Sequence, residues 1–145
     1  LHDLHQDDLP ALYDFLNLID ATIAARPVRD LFFRIGRTYR FESAHHLPHL
    51  PDGHKCKNLH GHNYRVEIVI AGTLDARGFI RDFAEIDADV MPLVRQVDHK
   101  LLNDIPGLEN PTAEVIAAWF FERIAACESV RVYENDECWA EVRAD

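Results

Sequence analysis

The run from Phe41-Glu42-Ser43-Ala44-His45 to Cys56-Lys57-Asn58-Leu59-His60-Gly61-His62 decides how this chain is read. In an extended strand alternate side chains share a face, so His60 and His62 can present two imidazoles to one ion. Gly61 between them adds no side chain to crowd the approach. His45 supplies a third imidazole from a neighbouring strand. Three neutral imidazoles with one open position are the usual arrangement of a catalytic zinc, whereas structural zinc is closed by four protein ligands, often thiolates. Cys56, four residues before His60, is either that fourth ligand or a reacting group beside the metal. A His-Gly-His triplet alone is a weak metal signal; His45 and Cys56 in the same window strengthen it. Nickel, copper and iron accept similar ligands, so zinc is an expectation from the ligand set.

Outward from this stretch, Leu31 to Glu42 reads as a strand rich in Phe, Ile, Tyr and Thr. Leu47 to Lys57 is a loop punctuated by Pro48, Pro51 and Asp52-Gly53, and it carries Cys56. His62 to Ala71 alternates, with Tyr64, Val66, Ile68 and Ile70 facing one way and His62 in their phase, a half-buried antiparallel strand. Asp82 and Glu85 form a capping-box pattern ahead of Phe83, Ile86, Val90, Leu93, Val94 and Val97, the core stripe of a helix that Pro92 is expected to kink. Asn110-Pro111 is expected to cap a second helix with Ala113, Ile116, Ala117, Phe120, Phe121 and Ile124 on one face. Val130 to Tyr133 and Cys138 to Val142 read as a closing hairpin turned at Asn135-Asp136. Upstream, Leu9 to Ala25 has the spacing of an amphipathic helix ended by Arg26-Pro27, a packing or oligomer contact without chemistry. The order predicts an α+β fold, an antiparallel sheet with two helices on one face plus an extra N-terminal helix. Its division is a helical extension over 1–31 and one domain over 32–145.

The whole chain narrows the partners. Its formal charge of −10 over 145 residues argues against a nucleic-acid surface, which carries a basic stripe. A polyphosphate substrate would need a local cluster of cations against that field. Three cysteines without a regular framework suggest free thiols in a reducing cytoplasm rather than disulfides. No apolar run approaches the roughly 20 residues of a membrane span.

Taken with Asp98-His99 and Asn110-Pro111-Thr112, these motifs resemble the 6-pyruvoyltetrahydropterin synthase superfamily, in the same order from about Phe33 to about Glu134. The three-residue gap between Cys56 and His60 is similar to the 6-carboxytetrahydropterin synthase branch, which acts on the route to queuosine and other 7-deazapurines. The resemblance implies the tunnelling fold, a ββααββ plan whose members close trimers into a barrel and stack two of them, with active sites at subunit interfaces. It implies zinc on His45, His60 and His62, and a proton relay of Cys56 with Asp98 and His99, the Asp-His pair coming from a neighbouring subunit. It makes Glu134 the pterin anchor, a carboxylate accepting two parallel N–H bonds. Two positions depart from the pattern. Asn135 stands where a threonine is usual, and His46 stands where the branch usually has arginine, a rival to His45 as ligand. Lys55 and Lys57 flank Cys56 and are open between meeting a triphosphate and belonging to a solvated loop.

The expected activity is conversion of 7,8-dihydroneopterin triphosphate to 6-carboxy-5,6,7,8-tetrahydropterin, releasing acetaldehyde and triphosphate, with no organic cofactor. A close alternative stops at 6-pyruvoyltetrahydropterin. An alternative of another class is a zinc-stabilised binding module in which Cys56 closes the coordination sphere. An unrelated zinc hydrolase is weaker, because no Glu or Asp stands inside the ligand box as one does in H-E-x-x-H.

Overall fold

Two long strands, β1 (Phe33–His45) and β2 (His60–Gly72), pair antiparallel along their full length, from Phe33 opposite Gly72 to His45 opposite His60. In this computed structural model, which describes Pro10 and residues 27–145, they begin a four-stranded antiparallel sheet of order β1-β2-β3-β4. Strands β3 (Cys127–Tyr133) and β4 (Trp139–Arg143) close it as a hairpin, with a register shift in the β2–β3 ladder at Val69/Ile70. Helices α1 (Phe83–Val97) and α2 (Ala113–Phe121) intervene between β2 and β3. The expected N-terminal helix and the 1–31 extension lie almost wholly outside the described residues.

The core follows from alternation. Tyr39 and Phe41 of β1, Tyr64, Val66, Ile68 and Ile70 of β2, and Val130 and Val132 of β3 form one buried cluster with Ile86, Val90, Val94 and Val97 of α1 and Ile116, Ala117 and Phe120 of α2. Both helices therefore cover one face of the sheet. Beyond Phe41 the buried phase of β1 continues as Ser43 and His45, so the same pleat that builds the core delivers a histidine to its end. Both strands are longer than the sequence suggests at this end. β1 runs three residues past Glu42 and β2 starts two before His62, because the ladder continues until the loop turns.

The helix ends differ from expectation in instructive ways. Asp82 is the N-cap of α1, accepting the Ala84 N–H, but Glu85 does not reach back to close a capping box. Its carboxylate takes the Arg77 guanidinium instead. The helix continues unbroken through Pro92, whose missing N–H frees only the Ala88 carbonyl on the exposed face. In α2 the cap is Thr112, whose hydroxyl accepts the Val115 N–H at 3.3 Å, and not Asn110. Pro111 lies outside the helix, and its carbonyl has another task.

Candidate metal centre and pocket

That task is to hold His45. The His45 Nδ1 stands 2.8 Å from the Pro111 carbonyl, and the His60 Nδ1 stands 2.8 Å from the Asn58 carbonyl. A carbonyl only accepts, so both rings carry their proton on Nδ1 and present a lone pair at Nε2. Those two Nε2 atoms face each other at 3.1 Å. Two lone pairs so close repel unless a cation lies between them. The His62 Nε2 is buried and has no hydrogen-bond partner among the described residues. One ligand atom from each of the three rings falls within 4.8 Å of the others. Convergent unprotonated nitrogens, one of them orphaned and two fixed by carbonyls behind them, fit a divalent cation such as zinc.

The strands explain the convergence. His45 and His60 are directly opposed in the ladder, and His62 lies opposite Ser43 on the same face. A Cβ at position 61 would come within 3.1 Å of the Ser43 carbonyl, so glycine there lets the two strands close up between the imidazoles. Burial, the largest influence on each, holds His45 and His62 below the usual histidine pKa and keeps them neutral. Tyr64 packs edge-on beneath both rings, and burial pushes its phenol well above the ordinary value. His46 is not among the clustered ligands; its backbone is clamped from both sides by the Asn103 side-chain amide.

His45, His60 and His62 open into a pocket of about 400 Å³ that Leu47, Lys55, Cys56, Glu134, Asn135 and Cys138 complete. Cys56 sits in a single 3-10 turn, Lys55–Lys57, held by the His54 ring accepting its N–H, and its loop closes on β1 through the Leu47 N–H to the Cys56 carbonyl. Lys55 lines the pocket, whereas Lys57 is paired with Asp52. Glu134 follows directly on β3, and its charge reaches the rings of the buried His45 and the half-buried His62. Cys138 and Leu47 are pocket residues the sequence did not single out. Nothing in a lone cysteine after a turn distinguishes it, and only the fold brings it to the pocket that Cys56 also lines.

Asp98 and His99 are elsewhere. They lie against Glu42 on the side of β1 away from β2, outside this pocket. Asp98 Oδ1 accepts the Glu42 N–H at 2.9 Å, and His99 N–H donates to the Glu42 carbonyl at 2.6 Å. His99 has a positive φ of 55°, a left-handed conformation uncommon outside glycine, and its Nδ1 stands 3.0 Å from Asp98 Oδ1. The pair is in contact although adjacent residues of an extended strand point apart, because this backbone turn folds the ring back.

The family model for 6-pyruvoyl tetrahydropterin synthase matches residues 34–145. This chain belongs to that family. It is 43% identical over 96 residues to the 6-carboxy-5,6,7,8-tetrahydropterin synthase of Synechocystis, covering 62% of this chain and 73% of the relative. It is 34% identical over 141 residues to the 6-carboxy-5,6,7,8-tetrahydropterin synthase of Haemophilus influenzae, covering 75% and 97%. The structure of 6-pyruvoyl tetrahydropterin synthase from Caenorhabditis elegans superposes with a TM-score of 0.73 at 24% identity over 81% of this chain and 99% of that one, a likeness of fold. The four-stranded sheet with its two helices is thus the family's tunnelling fold. No helix among the described residues is long and apolar enough to cross a membrane.

Proposed function

We propose that the chain is a zinc-dependent carbon–carbon lyase that converts 7,8-dihydroneopterin triphosphate, with water, to 6-carboxy-5,6,7,8-tetrahydropterin, acetaldehyde and triphosphate. The observation that carries this reading is the meeting, in one pocket, of three metal-ready imidazoles, a thiol and a carboxylate with no hydrogen-bond partner among the described residues. The family and its carboxytetrahydropterin synthase relatives support the substrate class.

Each residue then has a task its position suits. His45, His60 and His62 hold the zinc, which when bound supplies Lewis acidity toward the oxygens of the substrate side chain. Glu134 accepts the 2-amino and ring N–H of the pterin as a parallel pair, fixing the ring and aiming the side chain at the histidines. Cys56, on the pocket wall, exchanges a proton with the substrate side chain. Its sulfur is not a member of the ligand-atom group, which favours a reacting thiol over a fourth ligand. Asp98 orients His99 through Nδ1 and leaves the imidazole to carry a second proton. That this pair lies outside its own chain's pocket supports the reading that it serves the pocket of a neighbouring copy, with the active site between subunits of a trimer or hexamer. Lys55 is the pocket cation available to the triphosphate.

The test is a product assay on zinc-loaded protein with dihydroneopterin triphosphate, beside Cys56→Ala. Acetaldehyde together with 6-carboxytetrahydropterin, lost in the variant, is the expected result. A pyruvoyl product without acetaldehyde would move the chain to the sister reaction. No turnover, with zinc held tightly and the fold lost on chelation, would instead make it a zinc-stabilised binding module.

A further inference from the structure

The turn after β3 is closed by one side chain. Asn135 Oδ1 accepts the backbone N–H of Glu137 at 2.9 Å and that of Cys138 at 2.8 Å, while the Glu134 N–H returns to the Cys138 carbonyl at 3.1 Å. Two backbone donors on one side-chain atom settle which end of the amide it is, since only the oxygen accepts. The Asn135 Nδ2 therefore remains as a donor pair, and it has no hydrogen-bond partner among the described residues. Asn135 lines the metal pocket next to Glu134, and both also line the adjoining depression with Arg40, Asn63 and Asp136.

Glu134 and Asn135 thus present an acceptor pair beside a donor, on a turn whose backbone is locked. This pattern is complementary to a ring edge that reads donor, donor, acceptor in order. The pterin edge has that order, with its 2-amino group, its N3–H and its 4-oxo group. From this geometry we infer that Asn135 is a specificity-determining residue: its Nδ2 donates to the 4-oxo group of the ring that Glu134 holds by its two N–H bonds. The inference rests on the pterin reading above and adds what that reading leaves open, the partner of the 4-oxo group, a second contact beside the N3–H that Glu134 reads and a 4-amino ring lacks. A site built to pair a polar group rejects an analogue that cannot pair there far more strongly than an apolar wall does.

The experiment measures binding of two probes, neopterin and 2,4-diaminopteridine, by ring fluorescence, with wild type, Asn135→Asp, Asn135→Ala and Glu134→Gln. Asn135→Asp keeps the oxygen that closes the turn and replaces the donor by an acceptor. Wild type is expected to prefer neopterin, and Asn135→Asp to lose about tenfold or more of that preference through weaker neopterin binding and stronger diaminopteridine binding. Asn135→Ala removes both cap and donor, so it is expected to weaken neopterin and to lower the melting temperature, which Asn135→Asp does not. An unchanged preference in Asn135→Asp, with neopterin still bound by wild type and weakened by Glu134→Gln, overturns the role of Asn135 and leaves the pterin site standing. Failure of wild type to bind neopterin, or indifference of that binding to Glu134→Gln, overturns the pterin reading and this inference with it.

Discussion

His45 and His46 are neighbours with the same side chain and opposite surroundings. The pleat turns His45 into the core phase of β1, where it is 1% exposed and held by the Pro111 carbonyl, while Asn103 clamps the backbone of His46. The expectation is that His45→Ala abolishes stoichiometric zinc while His46→Ala leaves it intact, measured by elemental analysis after dialysis against a weak chelator. The loss at His45 should exceed the roughly 10- to 100-fold that removal of an outer partner costs. Retention of zinc by His45→Ala with loss in His46→Ala would reverse the assignment. Cys127 shows the contrast among thiols: burial, its largest influence, pushes it up to about 11, so it stays protonated in the core while Cys56 stands on the pocket wall.

At the scale of elements, the joint between β1 and the end of α1 decides where Asp98 and His99 stand. The buried Ser43 hydroxyl donates to the Val97 carbonyl at the last turn of α1, and the two following residues zip onto Glu42. Ser43→Ala leaves that carbonyl short of a partner and is expected to cost about 1–3 kcal/mol of stability, read from urea unfolding. It should also lower kcat while leaving metal content unchanged, because it disturbs the Asp-His pair and not the imidazole triad. An acid limb accompanies this joint. The Glu42 N–H, and then His99, hold the Asp98 carboxyl below its ordinary value of 3.8. A carboxylate depressed in the folded state adds stability above its unfolded pKa and loses it as pH falls through the folded one. Asp98→Asn should therefore flatten the loss of stability below about pH 4. The sequence shows why some of this could be read and some not. The triad was legible because period-two alternation and the His-Gly-His spacing are properties of a strand itself. Most of each helix's core stripe was legible for the same kind of reason, although Phe83 at the first turn of α1 is 50% exposed and Trp119 of α2, outside the expected stripe, is buried. The caps were misread because Glu85 and Asn110 satisfy local patterns equally well in either role, and only tertiary neighbours choose: Arg77 takes Glu85, and Thr112 takes the end of α2. Asn135 looked like a departure from the family's threonine; its turn-closing bonds appear only once β3 and β4 are paired.

For the molecule as a whole, the proposed catalytic groups are divided between two places, and the proposed reaction would need an assembly to bring them together. The histidine triad, Cys56 and Glu134 share one pocket, and Asp98 with His99 lies beyond β1, the edge strand of the sheet. The His99 side chain is 74% exposed, which suits a group presented to another copy better than one completing its own chain's site. If each active site takes its thiol from one subunit and its Asp-His pair from the next, two inactive variants should repair one another. Cys56→Ala and His99→Ala are each expected to be inactive as homo-oligomers. Co-refolded or co-expressed in equal amounts, they form mixed assemblies in which some interfaces pair an intact Cys56 with an intact His99. Random mixing in a ring of like subunits gives such an interface with a probability of about one quarter, so roughly a quarter of wild-type activity per site should return. A Cys56→Ala, His99→Ala double variant mixed with wild type serves as the control, since its subunits spoil both neighbours. No recovery in mixtures that size-exclusion shows to be hetero-oligomeric would mean that each chain completes its own site, and would require Asp98 and His99 to swing around the end of β1 or to have no part in the relay.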